Sequence, residues 1–311
     1  MATQRVIKNR IKSTKSIAQI TKAMEAVSAV KMRKSQGIAI SARPYALSAL
    51  EILRSVRKRI DTDQIALSPF LNERPVSKIC VLVITSDKGL CGTFNSSVIK
   101  KAENFVKNSS KPVSLITVGK KGRDYFKRRK FDVIGEFTGH GDFITLKETA
   151  PIFRKISEEF LAKRVDEVYF IYANFISALR QETTVRKILP FTENSLEEIV
   201  AGILPERGKY ANMPKVLGEK ESTNKSPYKF EPSPIEVLEK LLPALLHIEI
   251  HHAVLEGNAS EHSSRMIAMR NARDNAEEFI GELTVFYNKA RQAQITKELT
   301  EITGGAAALE N

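Results

Sequence analysis

The stretch Met269–Ala293, MRNARDNAEEFIGELTVFYNKARQA, decides the fold that we predict for this chain. Small and apolar residues recur in it at alternating steps of three and four: Met269, Ala272, Ala276, Phe279, Leu283, Phe286, Ala290 and Ala293. Such a 3.5-residue repeat keeps one seam against a partner helix as the two helices wind around each other, and alanines let the backbones approach closely. We therefore predict a C-terminal coiled-coil helix over residues 234–311.

The N-terminal segment supplies a partner for this helix. Similar steps of three and four run through Ile7, Ile11, Thr14, Ile17, Ile20, Met24, Val27 and Val30. This pattern predicts an N-terminal coiled-coil helix over residues 1–60, antiparallel to the C-terminal helix and kinked at Pro44. At about 1.5 Å per residue the two segments would measure roughly 85 and 105 Å and would form a rod. On periodicity alone, an alternative stays open in which each segment is several shorter helices with breaks at Gly257 and Gly281.

Between these helices the sequence predicts a central α/β domain over residues 75–192. It begins with Ser77–Thr85, SKICVLVIT, a β-branched run typical of a buried strand. The further predicted strands are 112–118, 131–137, 167–175 and 183–189, and the predicted helices are 95–107, 122–129 and 147–164. This alternation favours a largely parallel, Rossmann-like sheet, with the last two strands adjacent to each other. Residues 193–233, polar and rich in proline and glycine up to Pro227, are predicted to be an irregular insertion or linker.

Basic residues are concentrated at the N-terminus. Residues 1–60 hold 14 Lys and Arg against Glu25 and Glu51, a net charge of +12, whereas residues 61–311 carry a net charge of only +1. A basic segment of this kind favours an electronegative partner, which could be nucleic acid, anionic lipid or an acidic protein cavity. No apolar run reaches the roughly 18 residues that a membrane-spanning helix requires.

The residue patterns that nucleotide or metal chemistry requires are missing from the sequence. No GxGxxG or P-loop follows a predicted strand, and no nucleophile elbow is present. His247, His251 and His252 could mark a metal site, although a solvated helix face explains them better. The turn Ser86–Gly92 is predicted to be structural, with Asp87 bonding turn amides and with Gly89 and Gly92 at positive φ. Cys80 and Cys91 fit free thiols in a reducing compartment.

Four segments carry a resemblance to a known family. They are Ile20–Met24 with Lys31–Gln36, the turn Ser86–Gly92, Ser260–Glu261 with Arg265–Met269, and Tyr287–Gln292 followed by Ile295–Thr296, Glu298–Ile302 and Gly304–Leu309. Together they resemble the gamma subunits of F-type ATP synthases along nearly the whole chain. Because the opening helix begins where the family's helix begins, a cleaved presequence is not expected.

The resemblance implies a non-catalytic rotor shaft. The helix pair would turn inside the hexamer of alpha and beta subunits, and the α/β domain would join the epsilon subunit and the membrane proteolipid c-ring, with one copy per complex. The residues that match family contacts to the beta subunits are Met24, Arg265, Arg291, Gln292, Thr296 and Glu298. Neither a catalytic residue, a cofactor nor a metal is expected on this chain, since Mg-ATP, ADP and phosphate would bind to alpha and beta.

The resemblance also implies a location at the cytoplasmic face of a bacterial plasma membrane. Ser263 and Ser264 replace alanines that are common in the family, and the cysteine-bearing insert of chloroplast relatives is not evident. Two other classes stay open from the residues alone. One is a basic coiled-coil nucleic-acid binder, although Tyr45 is the only aromatic residue among residues 1–60. The other is a free-standing α/β enzyme.

Overall fold

The computed structural model describes residues 4–41, 68–191 and 229–309, together with residues 48, 51, 52, 55 and 56. These ranges hold the following helices and strands: α1 Gln4–Ser41, β1 Ile79–Ile84, α2 Phe94–Asn108, β2 Val113–Val118, α3 Lys120–Arg128, β3 Val133–Phe137, α4 Leu146–Leu161, β4 Glu167–Ser177, β5 Arg180–Leu189 and α5 Pro234–Leu309. The predicted kink at Pro44 and residues 193–228 of the predicted insertion 193–233 lie outside the described residues.

The five strands form one mixed sheet in the order β3-β2-β1-β4-β5. The first four are parallel, and β5 is antiparallel to its neighbour β4. Each predicted strand overlaps an observed one, and the predicted adjacency of the last two strands is confirmed. All six residues of β1 are buried, because this central strand is covered on both faces, as expected for parallel sheets.

Helices cover both faces of the sheet. On one face, α2 and α3 bury Phe94, Val98 and Phe126 against β1, β2 and β4. On the other face, α4 and the first part of α5 bury Ile156, Phe160 and other side chains against the same strands and β5. Each fully buried side chain of this size contributes about 1.5–3 kcal/mol. The sheet and its helices therefore enclose a hydrophobic core on each face of the sheet.

Helix α5 is continuous over 76 residues. It passes through both Gly257 and Gly281, so the alternative of shorter helices is wrong for this segment. Gly257 lies where α5 crosses β1, since a Cβ atom there would lie 3.0 Å from Cγ2 of Ile84. The helix also continues past Gly304 and Gly305.

The chain divides into two compact units. The first contains Met1–Ser28 and Arg265–Asn311, and the second contains Ala29–Ser264 with the whole sheet. Helices α1 and α5 contribute residues to both. The fold class, an α/β sheet domain with two long terminal helices, is as predicted.

The buried faces of the terminal helices differ from the predicted ones. Regularly spaced residues of the first unit are buried or half-buried and are here called the helix seam: Ile7, Ile11, Thr14, Ala18, Thr21 and Ser28 on α1 and Met266, Met269, Ala272, Ala276, Ile280, Leu283, Tyr287 and Ala290 on α5. The 3.5-residue spacing is confirmed. However, Ile17, Ile20, Val27 and Val30 of α1 are 53–63% exposed. On α5, Phe279 and Phe286 are 46% and 62% exposed. Those six assignments to the seam were wrong because α1 and α5 each carry a second apolar line.

Candidate functional site

The first unit exposes large apolar side chains along both helices. Ile17, Ile20 and Val27 lie outside the helix seam on α1, and Phe279 and Phe286 do so on α5. Single exposed apolar residues are ordinary on a protein surface, but rows of them at helical spacing indicate a surface that binds a partner. No helix in the described ranges carries an apolar segment long enough to cross a membrane.

Positive charge surrounds the apolar residues of α1. Arg5, Lys8, Arg10, Lys12, Lys15 and Lys22 are all exposed. The one acidic residue of α1, Glu25, is held by α5: its carboxylate lies 2.9 Å from Arg270 Nε and 2.7 Å from Arg273 Nη1. This ion pair links the two helices of the first unit and was not predicted. It leaves the exposed positive charges of α1 available to an acidic partner.

The six predicted contact residues fall into two groups. Arg291, Gln292, Thr296 and Glu298 share two turns of α5 and are all exposed. Met24 and Arg265 lie elsewhere: Met24 is half-buried beside Glu25, and Arg265 is 7% exposed. Arg265 precedes Arg291 by 26 residues, or roughly 39 Å of helix. The described structure therefore exposes four of the six side chains near the end of α5 and buries Arg265.

The carboxyl edge of the sheet, where α/β proteins bind phosphates, is filled by the protein's own groups. The first amide groups of α3 donate to three acceptors from the turn after β1: Lys120 N to Asp87 Oδ1 at 2.9 Å, Lys121 N to Ser86 O at 3.1 Å and Gly122 N to Thr85 Oγ1 at 2.9 Å. These amides are the donors that would otherwise bind an anion at a helix N-terminus. The cavity at this edge has a volume of about 140 Å³, well below the roughly 300–1,000 Å³ of typical ligand pockets.

The glycine predictions for this edge are confirmed only in part. Gly92 has the predicted positive φ of 55°, but the other left-handed residue of the turn is Leu90, with φ 60°, and not Gly89. Asp87 bonds amides, as predicted, but they belong to other segments, since its second oxygen accepts from Gly139 N at 2.7 Å. Gly119 was not predicted: its φ is 91°, and a Cβ there would lie 2.2 Å from Thr85 O. The turn is therefore fixed by contacts that sequence spacing does not reveal.

The three neighbouring histidines His247, His251 and His252 of α5 do not form a solvated face. His251 and His252 are buried, 9% and 2% exposed. His247 stacks on Phe153 with ring centroids 5.0 Å apart, and its Nε2 lies 3.1 Å from Thr149 Oγ1. The sequence-based interpretation is therefore wrong, because it could not show that α5 packs on α4 and the sheet at this point. Among the described residues, no group of three or more His, Cys, Asp or Glu side chains is arranged to hold a metal ion.

Both cysteines are buried and unbridged. Burial raises the pKa of the Cys80 thiol to about 12, which keeps it protonated and unreactive at neutral pH. The free-thiol interpretation of the sequence is consistent with this environment.

Comparison with known proteins identifies the class of protein. The family model described as ATP synthase matches residues 3–309, which places the chain among the subunits of that synthase. An ATP synthase gamma chain from Pelotomaculum thermopropionicum is 43% identical over 311 residues, covering 100% of both chains. Another, from Dehalococcoides mccartyi, is 39% identical over 309 residues, covering 99% of this chain and 100% of the relative. The chain belongs to the ATP synthase gamma-chain family.

Solved structures agree on the fold. The central stalk and c-ring structure of the Tetrahymena thermophila mitochondrial ATP synthase contains a chain that matches with a TM-score of 0.56 and 25% identity, over 81% of this chain and 99% of that one. A chain of the Euglena gracilis mitochondrial ATP synthase matches with a TM-score of 0.61 and 19% identity, over 98% of this chain and 94% of that one. The second likeness concerns the fold alone.

Proposed function

We propose that this chain is the rotor shaft of an F-type ATP synthase. The terminal helices of the first unit would turn inside the hexamer of alpha and beta subunits, and the sheet domain would join epsilon and the membrane c-ring. Proton flow would turn the ring and the shaft, and the shaft would drive the catalytic beta sites through their affinity states. The observation that carries this proposal is the match to gamma chains over essentially the full length.

The surface of the first unit supports the proposal. A shaft changes the beta sites in turn only if it presents different chemistry in different directions, because a symmetric shaft would bias all sites equally. The exposed apolar residues Ile17, Ile20 and Phe286 and the exposed bases of α1 give such a surface. We further propose that Met24, Arg265, Arg291, Gln292, Thr296 and Glu298 are coupling contacts. Since Arg265 is buried, its role would be to orient α5 rather than to touch a beta subunit.

We also propose that the chain binds no nucleotide itself and that Mg-ATP, ADP and phosphate are held by the alpha and beta subunits. The support is physical: the amides of α3 that a phosphate would need are engaged by Thr85, Ser86 and Asp87. An anion there would also face the Asp87 carboxylate. The nucleic-acid alternative has no support from the related proteins. A location at the cytoplasmic face of a bacterial plasma membrane, by attachment to the complex, is part of the proposal.

Arg291→Glu tests the coupling surface. Arg291 is exposed, so its reversal should leave the folding of the chain and its co-purification with alpha, beta and epsilon intact. We expect proton-driven ATP synthesis by the assembled complex to fall severalfold, because a charge-assisted contact becomes repulsive. The matched control is Lys240→Glu, an exposed base of the same helix that lies in the second unit, outside the proposed coupling residues. Unchanged synthesis by the Arg291 variant would refute the role of this residue, and failure of the unmodified chain to join alpha and beta would refute the shaft itself.

A further inference from the structure

One residue in the loop between β3 and α4 contacts both terminal helices. The carboxylate of Asp142 lies 2.6 Å from Lys31 Nζ on α1 through Oδ2, and 3.0 Å from His262 Nε2 on α5 through Oδ1. All three residues belong to the second unit. Because a carboxylate only accepts hydrogen bonds, Nε2 of His262 carries the proton in this contact.

The backbone carbonyl of Asp142 also contacts both terminal helices. Its carbonyl oxygen accepts from Ser35 Oγ at 3.1 Å and from Asn258 Nδ2 at 3.3 Å. Lys31 and Ser35 are four residues apart on α1, and Asn258 and His262 are four residues apart on α5, so each pair occupies one face of one helical turn. One residue therefore receives two donors from a single turn of each helix.

The contacts of Asp142 are only partly shielded from water, since the side chains of Lys31 and Asp142 are 31% and 35% exposed. Ser35 and His262 are 0% and 2% exposed, respectively. Burial by itself would raise the pKa of Asp142, but the hydrogen bond from Lys31 and the charge of His262 lower it further than burial raises it. The carboxyl group is thus anionic under physiological conditions. Beside it, Lys34 Nζ lies 4.1 Å from the ring centroid of Phe143, a cation–π contact that adds to the attachment of α1.

We propose that Asp142 is a positioning residue that locks the 31–35 turn of α1 and the 258–262 turn of α5 to the sheet domain, so that torque passes between the sheet and both helices. This inference rests on the proposed rotor function. Apolar packing is non-directional and tolerates sliding or rotation of a helix, whereas hydrogen bonds require defined distances and angles. A shift of either helix by one residue turns its donors by about 100° and breaks both of its contacts with Asp142.

The test compares Asp142→Ala with Asp124→Ala in the assembled complex reconstituted in membrane vesicles. Asp124 is an exposed carboxylate of the same unit, paired with its neighbour Arg123 on α3. We expect Asp142→Ala to keep ATP hydrolysis while proton pumping per ATP hydrolysed is largely lost, and Asp124→Ala to leave both unchanged. Asp142→Glu, which retains the carboxylate, should partly restore pumping. Normal pumping per ATP by Asp142→Ala would overturn the proposal.

A second measurement covers the case in which Asp142→Ala fails to assemble. The purified chain carrying Lys31→Met and His262→Gln keeps Asp142 but removes both ionic partners, and amide hydrogen exchange at residues 29–38 and 255–264 reports on the attachment. Faster exchange there, with unchanged exchange in β1 and β2, supports the lock; exchange unchanged at both helical turns overturns it. This readout does not depend on rotor function. If the unmodified chain did not assemble with alpha and beta, the proposed function would fail while the lock could still be judged.

Discussion

At the scale of single residues, the sheet domain contains a carboxyl group that is neutral at ordinary pH. Glu249 of α5 is 3% exposed, and burial raises its pKa to about 8 against the opposing charge of Arg186 on β5, with a further increase from Glu256. Tyr172 of β4 belongs to the same cluster, since its hydroxyl is hydrogen-bonded to Glu256 and burial raises its pKa well above 10. The attachment of α5 to the sheet therefore includes an ionisable group whose charging is unfavourable.

Glu249→Gln should remove a pH dependence of stability. Between the ordinary pKa of 4.5 and about 8, the folded chain holds a proton on Glu249 that the unfolded chain releases, so the free energy of unfolding falls as pH rises, by at most about 1.4 kcal/mol per pH unit. The glutamine variant lacks this slope and should gain stability relative to the unmodified chain as pH rises. Denaturant unfolding of the purified chain across this range measures the difference, with Glu239→Gln, exposed on the same helix, as control. A difference that does not vary with pH would contradict the assignment.

The pKa of the buried Asp166 is shifted in the opposite direction, below its ordinary value. Burial tends to raise its pKa, but hydrogen bonds from the side chain and amide of Ser77, the amide of Lys78 and the guanidinium of Arg74 lower it far more. Asp166→Asn should cost about 3 kcal/mol at neutral pH, because buried donors lose a charged acceptor. The folded pKa is depressed, so this stabilisation is present above the ordinary value of 3.8 and is lost as pH falls below it. Denaturant unfolding should show the gap between variant and unmodified chain closing in acid; a constant gap would argue against an ionic role.

At the scale of helices and strands, we expect the helix seam and the exposed apolar residues to contribute differently to stability. Leu283 is 8% exposed in the seam, and Phe286, three residues away, is 62% exposed. Leu283→Ala should destabilise the helix pairing of the first unit by about 2 kcal/mol, the lower end for buried leucines. Phe286→Ala should change stability by less than about 0.5 kcal/mol. Circular dichroism during thermal unfolding of the purified chain distinguishes them, and equal losses would show that the seam is assigned to the wrong residues.

The success of sequence-based prediction also differed between elements. The strand Ser77–Thr85 was found almost to the residue because a β-branched run bounded by turn residues has few other structures available. The seam of α1 was found only in part, because after Thr14 it continues through the half-buried Ala18 and the buried Thr21 and Ser28, which are small or polar. The more apolar Ile17, Ile20 and Val27 face outward. Hydrophobicity gives the period of a helix but cannot tell a surface that packs within the chain from one that binds another subunit.

At the scale of the whole molecule, basic residues are concentrated in two places. The first is the N-terminal helix. The second lies within residues 61–311, whose net charge is only +1: residues 94–130 hold 11 Lys and Arg against Glu103 and Asp124. They lie mostly on the exposed sides of α2 and α3, which cover one face of the sheet. The sequence showed these residues, but only the packing of α2 and α3 shows that they share a face. Likewise, the six predicted coupling residues were identified by resemblance, and their exposure could not be derived from spacing.

The two units should also differ in local stability. Along α5, residues 249–257 are all buried in the second unit, whereas residues 291–304 are all exposed in the first. Because local opening is easiest where few apolar contacts are lost, amide exchange of the purified chain should be slowest near 249–257 and fastest beyond Arg291. Mass spectrometry of exchange measures this gradient, and added alpha and beta subunits should slow exchange mainly at 291–304. Uniform exchange along α5 would contradict it.

The complete exposure of residues 291–304 has a mechanical consequence. Bending stiffness rises steeply with the cross-section of a beam, so a helix that shares a seam with another is much harder to bend than the same helix by itself. Residues 291–304 are then the compliant part of α5, and the part of α5 that lies in the helix seam is the rigid part. Elastic strain applied along this helix would be stored first in its last turns, where it can be released without disturbing the sheet.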